Sequence, residues 1–270
     1  VTGQPDVQTV PPLLEVSGVS YSYKPSLPPV MEGIDLSIRS GEFFVLLGPS
    51  GCGKTTILNQ VAGFEKPTTG TISLKGEKIT GPAPDRAVVF QGHESLLGWL
   101  TVRQNVEFPL KVAGVGTGER RARAQKVLEL VELAPQADKF PHELSGGMKQ
   151  RVQIARGLVT DSRMILMDEP FGALDAQTRG TLQAELSDIW ERERRTVLFI
   201  THDIAEAVIL ADRVGVMSSG PRAYLHSIVP IDLPRPRRRT AEFNEYIDLL
   251  EATVSAAKAR RPLETGTVAA

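Results

Sequence analysis

The run Gly48, Pro49, Ser50, Gly51, Cys52, Gly53, Lys54, Thr55 has the spacing GxxxxGK(S/T) and lies between the apolar stretch FFVLL and the helical pattern TTILNQVA. That spacing suits phosphate chemistry: glycines let consecutive backbone N–H groups curl around phosphate oxygens, and a following helix N-terminus adds a favourable dipole. Lys54 can reach the outer phosphates of a nucleoside triphosphate and the Thr55 hydroxyl can coordinate Mg2+, with Thr56 next in the helix's first turn. Cys52, the single cysteine, reads as a small residue tolerated inside this loop, and its alkylation is expected to block nucleotide binding.

A second constellation is MILMDEP, an apolar strand that delivers Asp168 and Glu169 at its C-terminal end, where open α/β sheets bind ligands. Asp168 is expected to steady magnesium through water, and Glu169, one residue further on, to orient or deprotonate the attacking water. Taken alone, such a pair could equally be a helix cap or a surface turn; beside the glycine-rich loop it reads as nucleotide chemistry. In LSGGMKQR, the turn Ser145, Gly146, Gly147 opens a helix whose apolar face is Met148, Val152, Ala155 and Val159. This second anion-binding helix end makes sense if it faces a nucleotide held by another copy, so a homodimer is expected. His202, in THDIAE, has two readings, a ligand for phosphate or part of a helix start with Asp203 as cap and Glu206 three residues later.

These residues must be positioned by strands and helices of two kinds. Ile34, Leu36 and Ile38, and again Ile72 and Leu74, alternate as half-buried strands of an antiparallel layer. Phe43 to Leu47, Ala87 to Phe90, Met164 to Met167 and Val197 to Ile200 are unbroken apolar runs, expected to be strands covered on both faces of a mostly parallel sheet. Helical spacing follows them at Leu182, Leu186 and Ile189, and at Ile204, Ala207, Val208 and Ala211. Between about Ser95 and Asp161 the pattern is helical, with a capping box at Thr101 and Gln104 and one apolar face of Ala124, Val127, Leu128 and Val131, which predicts an inserted helical subdomain. A flexible leader over 1–12, a nucleotide-binding domain over 13–219 and a C-terminal extension over 220–270 complete the expected organisation.

Composition narrows the classes. The 270 residues are 41% hydrophobic and 23% charged, as in ordinary globular chains. A formal net charge of −1 gives no field toward nucleic acid, and no partner of that kind is expected. One cysteine allows no intrachain disulfide, and no run of about 18 apolar residues suggests a membrane span. The expected location is therefore cytoplasmic.

The order GPSGCGKT, LSGGMKQR, MILMDEP, GALD and THD resembles the nucleotide-binding subunits of ABC (ATP-binding cassette) transporters, over residues 13–219. The resemblance implies an α/β fold with a P-loop NTPase core, an N-terminal antiparallel β layer and an inserted helical subdomain. It implies ATP and Mg2+ as cofactors and transport-coupled ATP hydrolysis. Ser145 and Gly147, with Gly146, would bind the γ-phosphate across the dimer, Gln91 would meet magnesium and the attacking water, Asp175 of GALD would link the two sites, and His202 would clamp the γ-phosphate. Tyr23 matches the position where the family sets an aromatic ring against adenine; an ordinary strand tyrosine is the alternative.

With no membrane span of its own, the chain would sit peripherally on the cytoplasmic face and serve integral membrane permease subunits of an importer, completed by a substrate-binding protein. The loop residues Leu96, Leu97 and Trp99 read as an exposed apolar patch for the permease, or else as packing of the helical subdomain. TGPAPDRAVVFQ, LLGWLTVRQNV, DEPFGALDAQTR and LPRPR resemble subunits serving nitrate, sulfonate or taurine importers, with Gly98 where relatives carry proline and Lys149 where arginine is more frequent. The basic run Arg235 to Arg239 fits an anionic lipid surface or acidic partner loop, or else a solvated tail. Two rivals are a soluble ABC ATPase working on ribosomes or DNA, usually built with two cassettes or a long coiled coil, and a small-molecule kinase, in which LSGGMKQR has no task.

Overall fold

Alternate residues of the central strands feed different cores. Phe43, Val45 and Leu47 join one apolar cluster with Ile165, Met167, Val197 and Phe199, while Phe44 and Leu46 join another with Met164, Leu166, Leu198 and Ile200. This is what a sheet covered on both faces requires, because successive side chains on a strand point to opposite sides.

The computed structural model describes residues 11–258 apart from 25, 93 and 94. The elements begin with β1 (Leu14–Tyr21), β2 (Met31–Ile38), β3 (Phe43–Leu47), α1 (Lys54–Ala62), β4 (Thr69–Leu74), β5 (Glu77–Lys78) and β6 (Arg86–Val89). The helical section holds α2 (Val102–Val112), α3 (Thr117–Leu130) and α4 (Gly146–Leu158). Then come β7 (Met164–Asp168), α5 (Ala176–Glu193), β8 (Thr196–Thr201), α6 (Ile204–Leu210), β9 (Arg213–Met217), β10 (Leu225–Pro230) and α7 (Ala241–Lys258). Residues 1–10 of the expected leader and 259–270 of the expected extension lie outside the described residues.

The larger sheet has the order β10-β9-β3-β8-β7-β6, parallel except for β10 at its edge. The smaller sheet, β2-β1-β4-β5, is antiparallel. Together with α1 it covers the face where Ile34, Leu36, Ile38, Ile57 and Val61 are buried. The fold is that of a P-loop NTPase core carrying N-terminal antiparallel strands and an inserted helical subdomain. The capping box at the start of α2 is complete, the Thr101 hydroxyl accepting from Gln104 N–H and the Gln104 side chain from Thr101 N–H.

Three local expectations are corrected. Phe90 lies beyond β6 and is 44% exposed, because β6 is an edge strand and only Val89 in it is fully buried. Leu96 is buried in the helical core and Leu97 is half-buried, so of Leu96, Leu97 and Trp99 only Trp99 is exposed, at 75%. The basic run is neither a lipid patch nor a solvated tail at its key positions. Arg237 donates to the carbonyls of Val208, Ala211 and Ile231, and Arg235 donates to Leu210 O and Asp212 while lying over the Trp190 ring.

Those two guanidiniums thus satisfy carbonyls that the short helix α6 leaves unpaired at its C-terminus. Burial, followed by the neighbouring Arg235 charge, pushes the Arg237 guanidinium down to about 10. Residues 220–258 are tied into the sheet through β10 and into α6 through these arginines and α7. Arg237→Ala is expected to destabilise the protein by about 2 kcal/mol, since several buried carbonyls would lose their donor. A thermal melt indistinguishable from the parent's would refute this.

Candidate active site

Four parallel strands end side by side, and each releases one part of the site. Leu47 is paired with Thr201, Ile200 with Asp168, and Met167 with Val89, so the C-terminal ends of β3, β8, β7 and β6 are level. The residues that follow are the Gly48 loop, His202, Glu169 and, two residues past β6, Gln91. Ligand sites of open α/β sheets form at this edge because the loops there diverge to opposite faces.

The loop turns on glycines that no other residue could replace at two points. A side-chain carbon at Gly48 would meet Met217 Cβ at 2.9 Å, and Gly53 holds φ at +96° to open α1. Lys54 is 4% exposed and donates to the carbonyls of Gly48, at 2.8 Å, and Pro49, at 3.1 Å. Its ammonium thus bends back over the loop rather than extending into solvent. Ser50, Gly51 and Thr55 lie on the exposed side of the loop, whereas Cys52 and Thr56 are buried. Burial pushes the Cys52 thiol up, so both the thiolate and access to it are scarce while the loop keeps this shape.

Thr55 Oγ1 donates to Asp168 Oδ1 at 3.2 Å. Burial pushes the Asp168 carboxyl up, opposed by the Thr55 hydrogen bond. These oxygens are hard donors of the kind Mg2+ prefers. The Thr55 hydroxyl and the Asp168 carboxylate are thus placed together as oxygen donors that would hold Mg2+, which would supply positive charge beside bound phosphate.

Glu169 occupies the left-handed region, with φ +39°, a strained setting for a residue with a side chain. Its N–H donates to Ile200 O and its carbonyl accepts from Gly172 N–H, so the surrounding backbone holds it there. One carboxylate oxygen is 3.8 Å from Lys54 Nζ and the other 3.0 Å from His202 Nδ1. A carboxylate only accepts, so the His202 proton sits on Nδ1 in this contact and leaves Nε2 for a further partner. Gln91 approaches from the far side of β7. A side-chain carbon at Gly172 would lie 3.7 Å from Gln91 Nε2 and 3.9 Å from a Glu169 carboxylate oxygen. Tyr23 is 65% exposed, its hydroxyl 3.4 Å from Thr56 Oγ1 and its ring edge-on to Tyr21.

The structure thus gathers Gly48 to Thr56, Asp168, Glu169, His202, Gln91 and Tyr23 at one edge. Ser145, Gly146, Gly147 and Asp175 form a separate group. Ser145 caps α4 by accepting from Met148 N–H, and a side-chain carbon at Gly147 would meet Thr178 Cγ2 at 2.7 Å, so α4 lies against the start of α5. Asp175 caps α5, accepting from Gln177 and Thr178 N–H, and these donors hold its carboxyl below the ordinary range. Among the described residues no hydrogen bond or ion pair joins Ser145, Gly147 or Asp175 to the loop or to Glu169.

Residues missed in the sequence are Gly172, Arg179, Thr201 and Glu206. Glu206 was read only as a possible partner of the Asp203 cap. Asp203 does accept from Glu206 N–H, but the Glu206 carboxylate turns inward to Thr201 and Gln183. A signal was present: Glu206 precedes Leu210 by four, which sets it on the buried face of α6.

Comparison with known proteins places the family. Residues 31–172 match the family model described as ABC transporter. The chain is 51% identical over 211 residues, 77% of its length, to a bicarbonate transport ATP-binding protein of Synechococcus elongatus. It is 49% identical over 225 residues, 81% of its length, to a nitrate import ATP-binding protein of the same organism. The matched regions span only about a third of those relatives, 32% and 34%. A solved bacterial ABC transporter cassette, described as dimeric, is 31% identical with a TM-score of 0.70, covering 82% of this chain and all of that one. No helix among the described residues is long and apolar enough to cross a membrane. With its phosphate loop, its Asp168–Glu169 pair and its Ser145 turn in the order and arrangement described, this chain belongs to the ABC transporter family of ATP-binding cassettes.

Proposed function

We propose that this chain is the ATP-hydrolysing subunit of a membrane ABC importer, working as a homodimer on the cytoplasmic face and driving uptake of a small anionic solute of the nitrate, sulfonate or taurine kind. The observation that carries the catalytic part is the Glu169 carboxylate, strained into position beyond β7 and held between Lys54 and His202. In this reading the loop from Gly48 to Thr56 binds the phosphates, Lys54 neutralises the outer ones and Tyr23 stacks on adenine. Thr55 and Asp168, with Gln91 nearby, hold Mg2+, which would neutralise phosphate charge. Glu169 orients the attacking water and accepts its proton, and His202, held beside Glu169, clamps the γ-phosphate.

The separateness of the Ser145 group favours a shared site. Its anion-binding helix end would serve a nucleotide on a second copy, with Gly147 admitting the phosphate and Asp175 lying along the junction. The relatives named for bicarbonate and for nitrate support a small anion as solute. Trp99 is the exposed apolar residue best suited to contact permease subunits, which a substrate-binding protein would supply with solute.

Ser145→Asp tests the shared site. Aspartate keeps the helix cap, so the melting temperature should hold. It also puts a negative charge where the partner's γ-phosphate would rest, so ATP should still bind the monomer while ATP-dependent dimerisation and turnover fall by about tenfold or more. Unchanged dimerisation in light scattering would reject the cross-dimer role of Ser145.

A further inference from the structure

His202 is 56% exposed at its side chain, so packing alone does not set the direction of its ring. Its backbone is held much more tightly. Thr201 Oγ1 donates to Glu206 Oε2 at 2.6 Å and accepts from Asp203 N–H at 2.9 Å. Asp203 Oδ1 accepts from Glu206 N–H at 3.1 Å, which closes a ring around the His202 peptide. Two bonds to α5 anchor the ring: Gln183 Nε2 donates to Glu206 Oε1 at 3.1 Å, and Arg179 lies 3.5 Å from Asp203 Oδ2.

Capping α6 needs only Asp203 and the Glu206 N–H, so the Glu206 carboxylate is surplus to that task. It is nonetheless 4% exposed, with Thr201 at 2% and Gln183 at 6%. Burying a carboxylate is unfavourable, and an apolar residue would fill the same space on α6 without that penalty. A small cavity of about 40 Å³ is bordered by Glu206, Thr201, Arg179, His202 and Glu169, so the buried group and the reacting edge share one wall.

We infer that Glu206 is a positioning residue for His202, fixing the strand-to-helix turn through Thr201 so that the imidazole meets Glu169 and the γ-phosphate together. The inference rests on the reading of His202 given above. A group that must be held within about 0.5 Å of its productive place needs such support, and a misplacement of about 1 Å can lower a rate a hundredfold.

The test is a double-mutant cycle on steady-state ATPase activity, using Glu206→Ala, His202→Ala and the pair, with Glu206→Gln as the conservative variant. Glu206→Ala is expected to lower kcat at least about tenfold while KM for ATP stays within about threefold, and to cause no further fall in the His202→Ala background. Glutamine can still accept the Thr201 hydroxyl, so Glu206→Gln should stay within about threefold of the parent. Should Glu206→Ala fail to fold, Thr201→Val, which opens the same ring, must give the same pattern. Equal losses in both backgrounds, or full kcat in Glu206→Ala, would overturn the inference and leave the role of His202 standing. Full kcat in His202→Ala would remove the reading of His202 and the inference with it.

Discussion

Glu169→Gln is expected to slow ATP hydrolysis by about a hundred- to a thousandfold, the range that loss of a general base produces, while leaving ATP binding intact or tighter. Glutamine has the same size and its carbonyl can still accept from His202 Nδ1, so the 3.0 Å contact survives. What disappears is the negative charge 3.8 Å from Lys54, and with it both the acceptor for the water's proton and a repulsion against bound phosphate. Two nucleotides gripped between two copies and no longer cleaved should hold the dimer together. Light scattering of the variant with Mg-ATP would then report twice the monomer mass, and a variant that stays monomeric at saturating ATP would end the dimer scheme.

Lys54→Ala should weaken ATP binding about a hundredfold, taking charge-assisted hydrogen bonds at about 1.5–3 kcal/mol. The ammonium is poised by two loop carbonyls, Gly48 and Pro49, and is almost wholly shielded from solvent, so its attraction for phosphate is little screened. Alanine leaves those carbonyls without a donor and removes the positive charge nearest to Glu169. Calorimetric titration with ATP, run beside a melting curve to confirm folding, measures the effect. An affinity within a factor of three of the parent's would show that the backbone cradle, rather than Lys54, carries phosphate binding.

The ease with which different parts could be read in the sequence follows from how local they are. The phosphate loop needs contiguous residues and a strand and helix on either side, so spacing alone identifies it. The capping box at Thr101 and Gln104 is likewise settled within a few residues, whereas α4 buries Gln150, Gln153 and Ile154 besides the predicted Val152 and Ala155 and leaves Met148 partly exposed. Within the Arg235 to Arg239 run, the roles of Arg235 and Arg237 could not be read because charge in a chain says nothing about which orphaned carbonyls lie across the fold, whereas Arg238 and Arg239 are exposed. For the same reason sequence left Leu96 open between an exposed patch and packing in the helical subdomain, and the second holds because the core that buries it is assembled from separate helices.

From the sequence alone came the candidate groups, because residue type and short-range spacing mark the glycine-rich loop, the Asp168–Glu169 pair that follows an apolar strand and the Ser145 helix start. Only the tertiary structure decided which of them meet. Insertion of β8 between β3 and β7, in level register, carries His202 to Glu169 across 33 residues of chain. The same sheet also sets Thr55, at the start of α1, against Asp168 across 113. Strand order is set by long-range burial of both sheet faces, which no local pattern encodes, so the pairing of Glu169 with His202 and the inward turn of Glu206 became visible only once the sheet was formed.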